Sequence, residues 1–291
     1  MITKPVIAGI GELLWDVLPS GKQLGGAPCN FAFHALQVGC ESHVISAIGK
    51  DELGAEIQNT LQTLGLSDHF VQVNEFSTST VTVNLNENGH PNYTIHENVA
   101  WDHILWNSDL ENLSKKLDAV CFGSLAQRNP ESKHTIQTFI SALKSDCLKV
   151  FDINLRQNFY NKEAIIHSIN LADILKLNED ELPVVSEYIS ISGDTESQLL
   201  QLLTRFKLKY VIYTMGGNGS IIKSIDESSF IDVPHILVSD TVGAGDAFTA
   251  VFISGILLGI SLRETHQKAT EFAAYVCTQK GATPKLTRDI F

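Results

Sequence analysis

Short apolar runs alternate along this chain with stretches of helical period, and that alternation constrains the fold more than any other feature. Val6 to Ile10, Val44 to Ile48, Ala119 to Phe122, Val150 to Ile153, Ile174 to Leu177 and Tyr210 to Thr214 read as strands, most without strict polar–apolar alternation. Continuous apolar strands belong to a sheet covered on both faces. Between them, Leu53, Ile57, Leu61 and Leu64 recur at helical spacing, as do Ile136, Phe139, Ile140 and Leu143, and Leu199, Leu202, Leu203 and Phe206. Strand–helix–strand order implies right-handed crossovers and a mostly parallel sheet. Ligands of such α/β folds sit outside the carboxyl ends of the strands.

One region breaks the alternation. Val81, Val83 and Leu85 alternate with polar residues, Asn86-Glu87-Asn88-Gly89 makes a turn, and Tyr93 and Ile95 alternate again. This is a hairpin pattern. It suits either a flap standing off the main sheet, to which Leu13 to Gly25 adds strand, or an edge hairpin of the central sheet. No internal repeat, low-complexity segment or Pro/Gly/Ser-rich linker divides the 291 residues, a length that one α/β core can accommodate.

Composition narrows the function classes. Hydrophobic residues are 44% and charged residues 19%, enough for a large core. The net charge of -12 argues against nucleic-acid and anionic-membrane partners. A polyphosphate remains an acceptable ligand where local amides and a metal ion supply the positive field. The five cysteines are scattered and form no CxxC pair, and the ten histidines show no HExxH spacing. This fits reduced, mostly buried thiols in a cytoplasmic protein, not a disulfide frame or zinc site. Glu12 and Asp16 interrupt the N-terminal apolar run, so it is not a signal peptide. Phe248 to Leu262 is the most apolar stretch, falls short of the ~20 residues that span a bilayer, and reads as a buried helix.

Chemistry is concentrated in Asp240-Thr241-Val242-Gly243-Ala244-Gly245-Asp246-Ala247-Phe248. A strand-like run, Phe230 to Val238, leads in, and a helix-like run, Phe248 to Leu258, leads out. The glycines allow backbone to approach a ligand, and the first helical amides have no internal acceptor. Those amides and the helix dipole suit a phosphate or the charge of phosphoryl transfer. Asp246 is a carboxylate beside an anion site, where a base receiving a proton from an attacking alcohol makes sense of it. Taken alone, the same loop is more often an ordinary helix cap.

Further groups follow other strand ends. Gly11-Glu12-Leu13-Leu14-Trp15-Asp16 and Gly25-Gly26-Ala27-Pro28-Cys29-Asn30 supply carboxylates and a carboxamide that suit a polyol. Glu12 fits a turn or cap role better than Asp16 or Asn30 does. In Asp152-Ile153-Asn154-Leu155-Arg156, the arginine suits a phosphate or an acceptor oxygen. In Asn178-Glu179-Asp180-Glu181, an Asn followed three residues later by Glu can orient water around Mg²⁺. The competing explanation is a helix N-terminus enriched in acids. Thr214-Met215-Gly216-Gly217-Asn218-Gly219 is a second glycine-rich turn, equally readable as a plain hairpin into Ser220 to Lys223.

These residues together resemble the ribokinase-like (PfkB) carbohydrate kinases, from the N-terminal Gly-Glu motif to Gly281-Ala282. Asp240 to Phe248 is similar to the family's C-terminal signature. Gly25 to Asn30, with Ile48-Gly49-Lys50-Asp51-Glu52-Leu53-Gly54, is similar to its N-terminal one. The resemblance implies a three-layer α/β core in a single kinase domain over 1–291, with a small β-sheet lid from roughly 13–25 and 78–98. It also implies an ATP-dependent transfer to a sugar hydroxyl, with ATP near the C-terminal signature. Glu12, the Ala27-Pro28 pair after the paired glycines, and the stretches Phe122 to Arg128 and Glu97 to Asp102 resemble fructokinases within the family. Cys29, where Ala is usual, and Trp15 beside Asp16 are departures.

Carried onto this sequence, the resemblance implies that Asp246 is the base, with Gly243, Ala244 and Gly245 as the anion hole. Asp16, Gly26 and Asn30 would hold the sugar, with Arg156 near the acceptor or phosphates. Asn178 would serve the phosphates and Glu181 the Mg²⁺, while Thr214, Gly216 and Gly219 would line the nucleotide. Some family members bind a monovalent cation such as K⁺ beside the equivalent of the Asp240 loop, and some pair lids in a homodimer. Two alternatives stay open: a kinase for ribose, a nucleoside or another hexose, and a non-catalytic sugar- or nucleotide-binding regulator on the same fold.

Overall fold

In a computed structural model, residues 4–18, 21–85, 91–286 and 290 are described. The strands are β1 (Val6–Ile10), β2 (Leu14–Leu18), β3 (Gly21–Gly25), β4 (Glu41–Gly49), β5 (Val71–Asn74), β6 (Ser79–Leu85), β7 (Pro91–Ile95), β8 (Ala119–Phe122), β9 (Leu148–Asp152), β10 (Ile174–Asn178), β11 (Tyr210–Thr214), β12 (Ser220–Lys223) and β13 (Ser228–Ile231). The helices are α1 (Ala27–Gln37), α2 (Glu52–Leu64), α3 (Ser108–Ser114), α4 (Pro130–Ala142), α5 (Lys162–Leu171), α6 (Glu181–Ile189), α7 (Thr195–Phe206), α8 (Ala244–Leu257) and α9 (Leu262–Cys277).

Among the described residues, nine strands form one sheet in the order β13-β12-β11-β10-β9-β8-β1-β4-β5, parallel from β11 to β5 and antiparallel at the β11–β12–β13 edge. The expected α/β architecture is therefore present. Every residue of β8 is buried, and β10 is buried up to Leu177. Apolar side chains of α1, α8 and α9 pack on one face of the sheet through Phe31, Phe252 and Phe272. Ile136 of α4, Ile165 of α5, Val185 of α6 and Leu202 of α7 pack on the other. Burial on both faces is what lets strands dispense with alternation.

The hairpin strands β6 and β7 do not join the central sheet. They form a second sheet in the order β3-β2-β6-β7, with β2 parallel to β6 and both outer pairs antiparallel. The turn expected at Asn86 to Gly89 lies outside the described residues. Trp15, in β2, is buried and donates its Nε1–H to the carbonyl of Leu53 at 3.1 Å. Successive strand side chains face opposite ways, so its bulk is turned onto α2 and away from the face of Asp16.

Two sequence expectations need correction near the C-terminus. Phe230 to Val238 is not one strand: β13 ends at Ile231, and Asp232 to Val238 follows without regular structure. Pro234 has no N–H to give a ladder, and Leu237 and Val238 are exposed by 93% and 62%. The outgoing helix starts at Ala244, earlier than Phe248, and the apolar stretch to Leu262 is interrupted. Gly259, at φ 74°, turns the chain between α8 and α9.

Candidate active site

Asp246 lies in the first turn of α8, whose N-cap Gly243 has φ 78°. A side chain there would be strained, and a Cβ would meet the carbonyl oxygen of Ala282 at 2.6 Å. The first N–H drawn into the helix ladder is that of Ala247, which donates to the Gly243 carbonyl at 2.9 Å. The N–H groups of Gly245 and Asp246 precede it and have no intrahelical acceptor. Asp240 fixes the approach: one carboxylate oxygen accepts from the Val242 N–H and the other from the Gly281 N–H, both at 3.1 Å. The loop is thereby fastened to the segment after α9.

Helix α1 brings the opposite wall. Its N-cap Gly26 has φ 114°, and a Cβ would collide with the Glu12 carbonyl, so the chain after β1 and the start of α1 touch through backbone. Asn30, one turn in and buried, donates from Nδ2 to Asp246 Oδ2 at 2.8 Å. Its own Oδ1 has no hydrogen-bond partner among the described residues.

Burial pushes the Asp246 carboxyl up from 3.8 to about 7, and the Asp152 charge adds to the rise. The Asn30 hydrogen bond, Lys176 and Arg156 pull in the other direction. Asp16, in β2, is raised by burial to about 6 and lies in the field of Arg156 and of Asp240. Arg156 is exposed and acts on Glu12, Asp16 and Asp246 alike. The structure thus gathers Asp16, Gly26, Asn30, Arg156 and Asp246 around the carboxyl ends of β1 and β9 and the start of α8.

Asn178 and Glu181 close a reciprocal cap at the start of α6. Asn178 Oδ1 accepts from the Glu181 N–H, and Glu181 Oε2 accepts from the Asn178 N–H, both at 2.9 Å. Glu181 Oε1 also accepts from the Leu155 N–H at 2.9 Å, tying the loop after β9 to that after β10. Burial, then Asp152, raises the Glu181 pKa. Both oxygens already accept one bond each and the residue is 4% exposed, so in this structure Glu181 braces the two loops, and only its remaining lone pairs are available to a metal ion. Among the described residues no group of three or more His, Cys, Asp or Glu side chains forms a metal cage. Thr214 stands opposite Asn178 in the β10–β11 ladder. Beyond it, Gly216 and Gly219 shape a turn closed by the Met215 N–H to the Gly219 carbonyl at 2.9 Å.

In the sequence alone, Glu12 reads as a turn or cap residue and Lys176 is not singled out. Glu12 is no ordinary turn residue: it is 3% exposed, burial pushes its carboxyl up to about 7, and its Oε2 has no partner among the described residues. Lys176 is buried in the middle of β10 and paired with Asp152 Oδ2 at 2.8 Å. Its Nζ would lie 3.3 Å from a Cβ on Gly245. The signal was legible: a lone lysine inside the apolar run Ile174 to Leu177 must find a buried partner.

The stretches Glu97 to Asp102 and Phe122 to Arg128 also meet. Arg128 clasps the buried Asp102 with two hydrogen bonds of 2.8 Å and lies over the Trp101 ring at 4.0 Å.

Residues 19–288 match the pfkB family carbohydrate kinases. An ATP-dependent 6-phosphofructokinase of Thermoanaerobacterium thermosaccharolyticum is 29% identical, over 94% of this chain and 88% of its own length. A fructokinase of Escherichia coli is 28% identical, over 95% of this chain and 94% of its own. The structure of a sugar kinase from Pyrococcus horikoshii in complex with ATP superposes with a TM-score of 0.81 at 26% identity, covering 95% of this chain and 94% of that one. No helix among the described residues is long and apolar enough to cross a membrane. With its doubly covered sheet, its second sheet and a match along nearly its whole length, the chain belongs to the pfkB family of carbohydrate kinases.

Proposed function

We propose that this ATP-dependent sugar kinase is a fructokinase, transferring the γ-phosphoryl group of ATP to the 6-hydroxyl of D-fructose in the cytoplasm. The observation that carries the reading is Asp246, held by Asn30 in the first turn of α8 beside N–H groups that no helical carbonyl takes. Asp246 accepts the hydroxyl proton as the sugar oxygen forms its bond to phosphorus and the bond to the ADP oxygen breaks. Gly243, Ala244 and Gly245 form the anion hole, whose amides stabilise the charge that grows on the transferring group.

Asp16, Gly26 and Asn30 hold the sugar, and the second sheet, from 13–25 and 78–98, is its lid within one kinase domain. Arg156 neutralises charge at the acceptor end and offsets the mutual repulsion of the carboxylates of Glu12, Asp16 and Asp246. Asn178 and Glu181 order water around Mg²⁺, which when bound supplies charge neutralisation on the phosphates. Thr214, Gly216 and Gly219 line the nucleotide, and the Asp240 loop would hold a monovalent cation such as K⁺, which would supply positive charge near the anion hole. Lids of two chains pair in a homodimer, for which sedimentation velocity is the check: a monomer at assay concentration removes it.

The E. coli fructokinase relative and the Glu12 and Ala27-Pro28 spellings favour fructose as acceptor. ATP consumption measured against D-fructose, D-ribose, a nucleoside and fructose 6-phosphate tests this. The largest kcat/KM is expected for D-fructose. A larger value for another acceptor reassigns the substrate, and binding without turnover for all four makes the protein a regulator.

A further inference from the structure

Beside Asp246 lies a small cavity of about 10 Å³, walled largely by apolar groups such as Pro28, Phe31 and Phe122, with Asp246, Asp152 and Asn154 as its polar lining. That is room for about one water molecule. Asp152 is 5% exposed, and the two ends of its carboxylate differ. Oδ2 takes the Lys176 ammonium at 2.8 Å, whereas Oδ1 is buried with no hydrogen-bond partner among the described residues. A buried carboxylate oxygen without a donor is costly. The adjoining wall of the cavity is Asp246, a second carboxylate, which when ionised has no proton to offer. A water molecule has two O–H groups and can donate one to each.

We propose that this cavity holds one water that donates to Asp152 Oδ1 and to Asp246, and that the Asp152–Lys176 pair positions the base through it. The proposal rests on the reading of Asp246 as the base. The pair suits the task because it is rigid: Asp152 and Lys176 are register partners on adjacent strands of the central sheet. Burial works against the lysine charge, yet the carboxylates of Asp152, Glu181 and Asp246 hold its pKa above the ordinary lysine value. The ammonium therefore stays charged throughout turnover. When Asp246 takes the hydroxyl proton, the water keeps its bond to Asp152 and accepts or releases the bond to Asp246. The proton remains on Asp246 until product leaves.

The ionisable groups facing Asp246 are Glu12, Cys29, Cys121, Asp152, Arg156 and Lys176. Of these described groups, Asp152 and Lys176 are the two joined by a direct hydrogen bond between opposite charges, and they act on Asp246 in opposite directions. Asp152→Asn removes a negative neighbour, and the acidic limb of the kcat/KM pH profile should fall by about one pH unit. Lys176→Met removes a positive one, and the limb should rise by a similar amount. The double variant, which deletes the buried pair together and keeps the core neutral, should return the limb towards wild type. A purely structural pair would lower the folded fraction without opposite shifts.

The water itself is tested separately, by a high-resolution crystal structure of the wild-type protein. One ordered water is expected within about 3 Å of both carboxylates. No water there, or limbs that move together or not at all, overturns the proposal. Failure of the base reading is distinguishable: Asp246→Asn would then keep wild-type kcat, a result independent of what the density shows.

Discussion

Asn30 Nδ2 stands 2.8 Å from Asp246 Oδ2, joining the first turns of α1 and α8 across 216 positions of sequence. The bond fixes the carboxylate of a half-buried aspartate whose carboxyl burial has raised to about 7. An amide donor orients the oxygen without neutralising it, which a lysine or arginine at the same place would do. Held in this way, Asp246 remains able to take a proton.

Asp246→Asn should lower kcat by about 10²–10⁴-fold. Dissociation constants for ATP and sugar, measured by calorimetry, should change little. A loss confined to binding would move Asp246 out of the base role.

The pH dependence follows from the same carboxyl. Only ionised Asp246 accepts a proton, so kcat/KM should rise with pH through about 7. Stability should run the opposite way. The folded pKa lies above the unfolded 3.8, so the native state binds the extra proton between these values. This contribution is full below about 4 and fades as pH rises to about 7. Asp246→Asn should therefore raise Tm at pH 8 more than at pH 4, as scanning calorimetry at the two pH values would show.

Asn30→Ala removes the donor and should raise the base pKa, because the Asn30 bond works to lower it. The acidic limb of the rate profile should move to higher pH, with kcat reduced about tenfold at neutral pH. An unchanged limb would make Asn30 a packing residue.

Gly243→Ala tests the turn that opens the anion hole. The left-handed conformation costs an L-residue about 1–2 kcal/mol, and contact with Ala282 adds to this. Tm should fall by several degrees, at about 2–4 °C per kcal/mol for a domain of this order of size. In the fraction that remains folded, kcat should fall more than the affinity for sugar.

Arg128→Leu leaves Asp102 buried without its cation. Breaking such a pair costs about 3–5 kcal/mol, visible as an earlier midpoint in urea. Replacing both members together, Asp102→Leu with Arg128→Leu, should recover part of the loss.

Reading the sequence located strands and helices best where the pattern was longest. The apolar runs became β1, β4, β8, β9, β10 and β11, because a strand buried on both faces must be apolar throughout. It misplaced the approach to the Asp240 loop, where Phe230 to Val238 carries strand-like residues. Apolar side chains that find no facing surface do not make a strand, and Pro234 interrupts the ladder. The loop's glycines and Asp246 were legible because their spacing is local. The Asp152–Lys176 pair and the Glu12 carboxyl were not read as site groups, since a charge in an apolar run acquires meaning only with its partner and its burial.

By itself, then, the sequence determined an α/β kinase-like chain: periodicity fixes which elements form, and local spacing fixes which turns carry glycine, carboxylate or amide. Tertiary structure decided what those groups do to one another. Asp246, Asn30, Asp152 and Lys176 come from four separate elements, and the raised pKa of the first depends on burial and on the charges of the others. Burial and through-space charge are properties of the assembled sheet and helices, so no reading of one segment contains them.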